Sequence, residues 1–225
     1  MNTCFHLSGK TTNLLIDCGA TSLVGLKQQQ VDVNAVQAIL VSHFHGDHFG
    51  GIPFFVLHAQ FFAKRTSPLI IAGPPGLKSW FERAMEITFP GALAAKRKFS
   101  VEFLELKPSE AAEIAGATVT GFANKHGVIG FAYRIVAEGK VIAYSGDTEW
   151  TDSLIDAGHK ADIFIAEAYF HDKQVPFHLD YETLVAHLPA IDPKQVVLTH
   201  MNENMLAMAD TVPYDAAYDG LVVAV

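Results

Sequence analysis

Residues 39–51 constrain this chain more than any other stretch. They read Ile-Leu-Val-Ser-His-Phe-His-Gly-Asp-His-Phe-Gly-Gly. The apolar run at 36–41 reads as a buried strand that ends in a polar loop. Side chains on an extended segment alternate faces, so His43 and His45 point the same way. Two imidazoles on one face can hold one metal ion. Gly46 lets the chain turn, because glycine tolerates backbone angles that other residues resist. Beyond that turn, Asp47 and His48 face the same space and can hold a second ion. Imidazole with carboxylate suits zinc, and also manganese or iron. The plainer reading is a helix start with incidental histidines. Three histidines within six residues, spaced by a glycine and an aspartate, are not what scattering 11 histidines over 225 residues gives.

The string His43-Phe44-His45-Gly46-Asp47-His48 resembles the His-x-His-x-Asp-His signature of the metallo-β-lactamase superfamily. That resemblance implies an α/β fold, a four-layer α/β/β/α sandwich with the metals at one edge of two sheets. It also implies five motifs in order, and each has a counterpart here. Asp17-Cys18-Gly19 closes an apolar run at 14–16, and the family's aspartate orients the metal loop there; the same residues would serve as a turn. His126-Gly127 stands at a strand junction, where the family's third motif completes the first metal site with His43 and His45. Gly146-Asp147-Thr148 matches the fourth motif, whose aspartate bridges both ions. His200 follows the strand expected at 195–199, and the fifth motif's histidine would complete the second site with Asp47 and His48. The resemblance thus implies two divalent ions, zinc first, and seven ligands.

The branch is narrower. Ser145-Gly146-Asp147-Thr148, then residues 161–168 with Glu167, resemble ribonuclease Z. A histidine precedes that glutamate in the branch, whereas Ala166 stands here. Phe177-His178-Leu179-Asp180-Tyr181-Glu182-Thr183 resembles the branch's His-x-Thr segment, which implies a His178 held by Glu167 beside the leaving group. The long arm that grips transfer RNA lies between the third and fourth motifs in the bacterial form. Here only residues 127–146 separate them, and they read as two strands with a hairpin turn at 138–140. Paired ions lower the pKa of a shared water, giving a bridging hydroxide near neutral pH, and neutralise charge on an attacked oxygen. Asp47 would take a proton from that water, and His178 would protonate the leaving oxygen. The expected activity is a metal-dependent hydrolase of the phosphodiesterase type acting on a small ester. A lactonase or thioesterase acting on carboxylic esters is the alternative enzyme, and a non-hydrolytic metal-binding or di-iron redox protein the alternative outside hydrolysis.

Composition bounds the rest. A chain of 225 residues, 50% hydrophobic and 18% charged, folds and fits one domain, 1–225. Its net charge of −8 argues against long nucleic acid as a partner, since phosphate contacts need a basic face. Lys96-Arg97-Lys98 is the one dense basic cluster and reads as a solvated loop. A small anionic ester still fits, because bound cations add positive charge locally. No apolar run reaches the length of a membrane span, and the first residues lack the pattern of a secretory signal. Two sparse cysteines, Cys4 and Cys18, fit a reducing cytoplasm; a disulfide between them is allowed but not required. Relatives are often homodimers, with the aromatic stretches 54–62 or 80–89 as a contact.

Strands are expected at 4–7, 12–17, 69–72, 162–166 and 195–199. A second sheet is expected from 101–106, 117–122, 129–136 and 141–144. Helices are expected at 22–30, in the apolar stretch after His48 (with His58 packed in the core), from Pro75 to about 89, at 152–157, and at 180–188, where Pro189 stops it. A last apolar strand is expected at 221–225.

Overall fold

The computed structural model describes residues 2–225. The chain divides into two compact units. One is Met1–Leu106 with Ile114–Gly116, the other Lys107–Glu113 with Ala117–Val225.

The first unit is built on a five-stranded sheet in the order β1-β2-β3-β4-β5. Its strands are β1 (Phe5–Ser8), β2 (Asn13–Ile16), β3 (Ala38–Leu40), β4 (Leu69–Gly73) and β5 (Val101–Glu105). The first pair is antiparallel and the rest are parallel. Parallel neighbours need a crossover, and helices supply each one. They are α1 (Ser22–Gln28), α2 (Gly46–Phe49) with α3 (Ile52–Phe61), and α4 (Leu77–Thr88). Leu14, Leu15 and Ile16 of β2 and all of β3 are apolar and buried, as strands with both faces covered require. Helix α3 buries Ile52, Phe55, Val56 and Ala59 in a core shared with Leu77, Phe81 and Met85 of α4. Each large side chain so buried contributes about 1.5–3 kcal/mol.

The second unit carries a seven-stranded sheet in the order β12-β11-β10-β9-β8-β7-β6. The strands are β6 (Ala111–Ile114), β7 (Ala117–Ala123), β8 (Phe131–Ala137), β9 (Lys140–Tyr144), β10 (Ile163–Glu167), β11 (Val196–Thr199) and β12 (Asp215–Ala216). Strands β7, β8 and β9 form an antiparallel meander, and β9 to β12 run parallel. Helices α5 (Ser153–Gly158), α6 (Tyr181–Ile191) and α7 (Glu203–Met208) make the crossovers. Leu154, Ala157, Leu184, Leu188, Ile191 and Met205 from these helices pack with Phe164, Val196 and Leu198 of the sheet.

The directions of the strands matter for function. In a parallel sheet every carboxyl end lies on one edge, and ligands bind there. Asp17 follows β2 and His43 follows β3. His126 follows β7, Asp147 follows β9, Glu167 ends β10 and His200 follows β11.

Several expectations are corrected. The strand at 101–105 joins the first sheet rather than the second, because α4 returns it parallel to β4. Strand β6 was not expected. Helix α6 runs through Pro189 to Ile191. The proline falls in the last turn, and the end is closed by Asp192 in the left-handed region (φ 54°), its N–H donating to the Leu188 carbonyl. Residues 221–225 form no strand. The place beside β11 is taken by Asp215–Ala216, and Val222 is left exposed. Helix α4 starts at Leu77 with Gly76 as its cap, so Pro75 lies outside it. His58 is only half-buried and stacks on Phe62 with ring centroids 5.3 Å apart. Cys4 and Cys18 are both free thiols.

Candidate metal centre

In the first unit the chain leaves β3 with Ser42 and His43 buried, then turns into the short helix α2 at His45. His43 Nε2 lies 3.1 Å from His45 Nδ1. These two nitrogens approach one another although β3 ends at Leu40, before either histidine. His43 and His48 rings are 4.1 Å apart. His48 Nε2 is 3.6 Å from Asp47 Oδ2, whose side chain is well exposed.

Asp17 organises this loop. Its Oδ1 accepts the Ser42 backbone N–H at 2.6 Å, and its Oδ2 accepts the Ser42 hydroxyl at 2.7 Å. The same Oδ2 accepts from His48 Nδ1 at 2.7 Å. With the carboxylate oxygen accepting, His48 donates through Nδ1 and its Nε2 is the nitrogen nearer Asp47. Asp17 is buried at φ 60°, a left-handed conformation that aspartate tolerates better than most residues. Cys18 N–H donates to the His48 carbonyl and Thr3 N–H to the Asp47 carbonyl, tying the loop to the first strands.

In the second unit Asp147, Glu167, His178 and His200 offer donor atoms within 4.8 Å of one another. Glu167 is fully buried and is their hub. Its Oε1 accepts from His178 Nδ1 at 2.6 Å and from His200 Nδ1 at 3.1 Å. Its Oε2 accepts the backbone N–H of Thr148 at 3.0 Å and of Leu179 at 3.2 Å. Both histidines are thereby fixed with hydrogen on Nδ1, and His200 Nε2 comes within 3.3 Å of Asp147 Oδ2. His126 follows the same rule with a backbone partner, its Nδ1 donating to the Phe177 carbonyl at 2.9 Å. Carboxylate or carbonyl partners on the far nitrogen are how metal-binding histidines are aimed.

Burial pulls the His178 pKa down, but the Glu167 hydrogen bond and the charges of Glu167 and Asp147 outweigh it. The imidazole ends above its ordinary value, which favours its protonated form. Tyr169 stacks on it with centroids 4.6 Å apart.

Each expected residue thus has a place. His43, His45, Asp47 and His48 come together in the first unit, and Asp147, Glu167, His178 and His200 in the second, with His126 beside His178 at 5.4 Å between rings. The donor sets are imidazole and carboxylate with correctly aimed nitrogens, which fits divalent metals. Sequence reasoning missed Ser42, Asn124 and the Phe177 carbonyl. Asn124 donates to the carbonyls of Ser145 and Asp147 and so shapes the Gly146 turn. A polar residue directly after or before an apolar strand was the only available signal.

The family described as Anti-Pycsar protein Apyc1 matches residues 1–216. The chain belongs to this family. Ribonuclease Z from Agathobacter rectalis is 22% identical over 265 residues, covering 94% of this chain and 85% of that protein. Among solved structures, the short form of human tRNase Z is similar with a TM-score of 0.82, at 22% identity, over 99% of this chain and 92% of the other. The metallo-β-lactamase fold protein YhfI from Bacillus subtilis gives a TM-score of 0.79, at 22% identity, over 98% and 90%. Zinc-bound PqqB from Methylobacterium extorquens gives 0.74, at 18% identity, over 98% and 86%. The fold is the α/β metallo-β-lactamase fold expected above, and this Apyc1-family member is a ribonuclease Z-like metal-dependent hydrolase of that superfamily.

Proposed function

We propose that residues 1–225 act as one metallo-β-lactamase-like domain that hydrolyses a small phosphodiester with two divalent ions, zinc first. His43, His45 and His126 would hold one ion, Asp47, His48 and His200 the other, and Asp147 would bridge them. Two such ions, when bound, supply Lewis acidity and acidify a shared water. The protein's own groups do the rest. Asp47, short and exposed, takes a proton. Asp17 and Glu167 hold the histidines in one tautomer. His178, held on Glu167 through Nδ1, carries a proton on Nε2 towards the leaving oxygen.

The observation that carries this reading is the Glu167 hub, in which one buried carboxylate holds both His178 and His200. A purely structural metal site has no use for a second histidine on the same carboxylate. Supporting a small ester rather than transfer RNA, residues 127–146 hold only β8, β9 and their turns, and the net charge is −8. Among the described residues no helix is long and apolar enough to cross a membrane. Two free cysteines support a cytoplasmic location.

The test is hydrolysis of bis(p-nitrophenyl) phosphate, a cyclic mononucleotide, a lactone and a transfer RNA precursor by zinc-loaded protein. Turnover of the first two that disappears with chelator and returns with metal is expected. Full activity after chelation, or turnover of the lactone alone, would refute the phosphodiesterase reading. Cleavage of the precursor alone would refute the small substrate.

A further inference from the structure

Phe177 is held in a way its packing does not explain. Its φ is 73°, the left-handed region that bulky side chains rarely adopt. Two hydrogen bonds keep it there. Its N–H donates to Glu149 Oε1 at 3.1 Å, and its carbonyl accepts from His126 Nδ1 at 2.9 Å. Glu149 is itself anchored by Lys125 Nζ at 2.6 Å.

That conformation turns the ring outward. Phe177 is 46% exposed, so the core does not hold its side chain. The ring meets His126 edge-on with centroids 6.1 Å apart. It also lies along the backbone at Gly127, where a first side-chain carbon would touch it at 3.8 Å. The chain beyond Gly127 continues with exposed Val128 and Ile129. An exposed aromatic surface therefore borders a candidate metal ligand, His126, and immediately precedes the candidate acid, His178. A solvent-facing ring at such a point is matched by a flat partner, because aromatic faces stack on one another in offset or edge-on geometry.

We propose that Phe177 is the platform on which a flat aromatic group of the substrate ester stacks, a reading that rests on the hydrolase assignment above. A ring fixed in advance by its backbone loses little freedom when the ligand arrives, so the contact adds to binding rather than being spent on ordering. Phe177 is then a specificity-determining residue. It selects esters that carry an aromatic group and leaves the phosphate's own contacts alone.

Calorimetry on zinc-loaded protein with phenyl phosphate and with inorganic phosphate tests this. Phe177→Ala keeps the backbone amide and carbonyl, so the bond to His126 survives, and Phe177→Trp keeps a ring. The native protein is expected to prefer phenyl phosphate by about 10-fold or more, the size of one aromatic stacking contact. Phe177→Ala is expected to lose that preference while inorganic phosphate binds within about 2-fold of native, and Phe177→Trp to retain it. Equal weakening of both anions in Phe177→Ala would mean that the residue only positions His126, and would overturn the proposal. So would an unchanged preference. Hydrolysis of bis(p-nitrophenyl) phosphate is scored separately. Its absence in the native protein would remove the hydrolase reading, while the binding difference would still decide the platform.

Discussion

At the scale of single residues, the proposed general acid is His178, held on Glu167 through Nδ1. His178→Ala should lower kcat about 10²–10⁴-fold on an alkyl phosphodiester, the usual worth of general acid help. The loss should be much smaller on a p-nitrophenyl ester, whose leaving group needs no proton. Equal losses on both substrates would show that His178 acts otherwise. The thiols give a test of burial. Cys18 is fully buried and Cys4 partly so, and Cys4 is pushed from 9.0 to about 12, mainly by burial, with Ser22 opposing and Asp17 adding to the rise. Cys18 moves well up for the same first cause. The folded thiols stay protonated where the unfolded ones ionise, so their contribution to stability is intact below about pH 9 and falls as pH climbs towards 12. Iodoacetamide at pH 8 should label neither cysteine in the native protein and both in denaturant. Labelling of Cys18 in the native protein would contradict its burial, and labelling of Cys4 would contradict its raised pKa.

At the scale of elements, the loop at 42–51 depends on close contacts with the turn at 17–19. Gly19 follows β2, and a side-chain carbon there would sit 2.0 Å from the Asp47 carbonyl oxygen. Gly19→Ala should therefore displace the loop, destabilise the fold by about 1–3 kcal/mol and weaken metal binding. A melting curve and a metal titration unchanged from native would show that the loop yields freely. This element also shows what the sequence made legible. His43 was readable because it follows an apolar run, whereas His126, Asp147 and His200 were read at strand ends through the order of the family's motifs, as Asn124-Lys125 and Ser145-Gly146 separate the first two from their strands. The grip of Asp17 on Ser42 and His48 was only half readable, since an aspartate before glycine also makes a turn. The Phe177 carbonyl was not readable at all, because a backbone acceptor has no residue type. Strand β6, Ala-Ala-Glu-Ile, lacks the alternation that marks a strand and gains its place from a neighbour in the sheet. The run at 221–225 has the right composition, but β12 already lies beside β11.

At the scale of the whole molecule, divalent ions held at the proposed site should stabilise the fold. A ligand present at a hundred times its Kd adds about 2.7 kcal/mol, which for a chain of this size raises Tm by about 5–10 °C. Chelation should lower the melting temperature by that order and leave one cooperative transition. Complete unfolding on chelation would show that the metal builds the site instead of occupying it. The expectation of a folded metal-free form comes from the two buried carboxylates, Asp17 and Glu167, which steer His48, His178 and His200 with charges the chain supplies itself. A histidine aimed by its own protein has no need of a cation to find its bearing. A site built this way would take up a divalent ion, or a different one in its place, at the pace of diffusion instead of the pace of refolding.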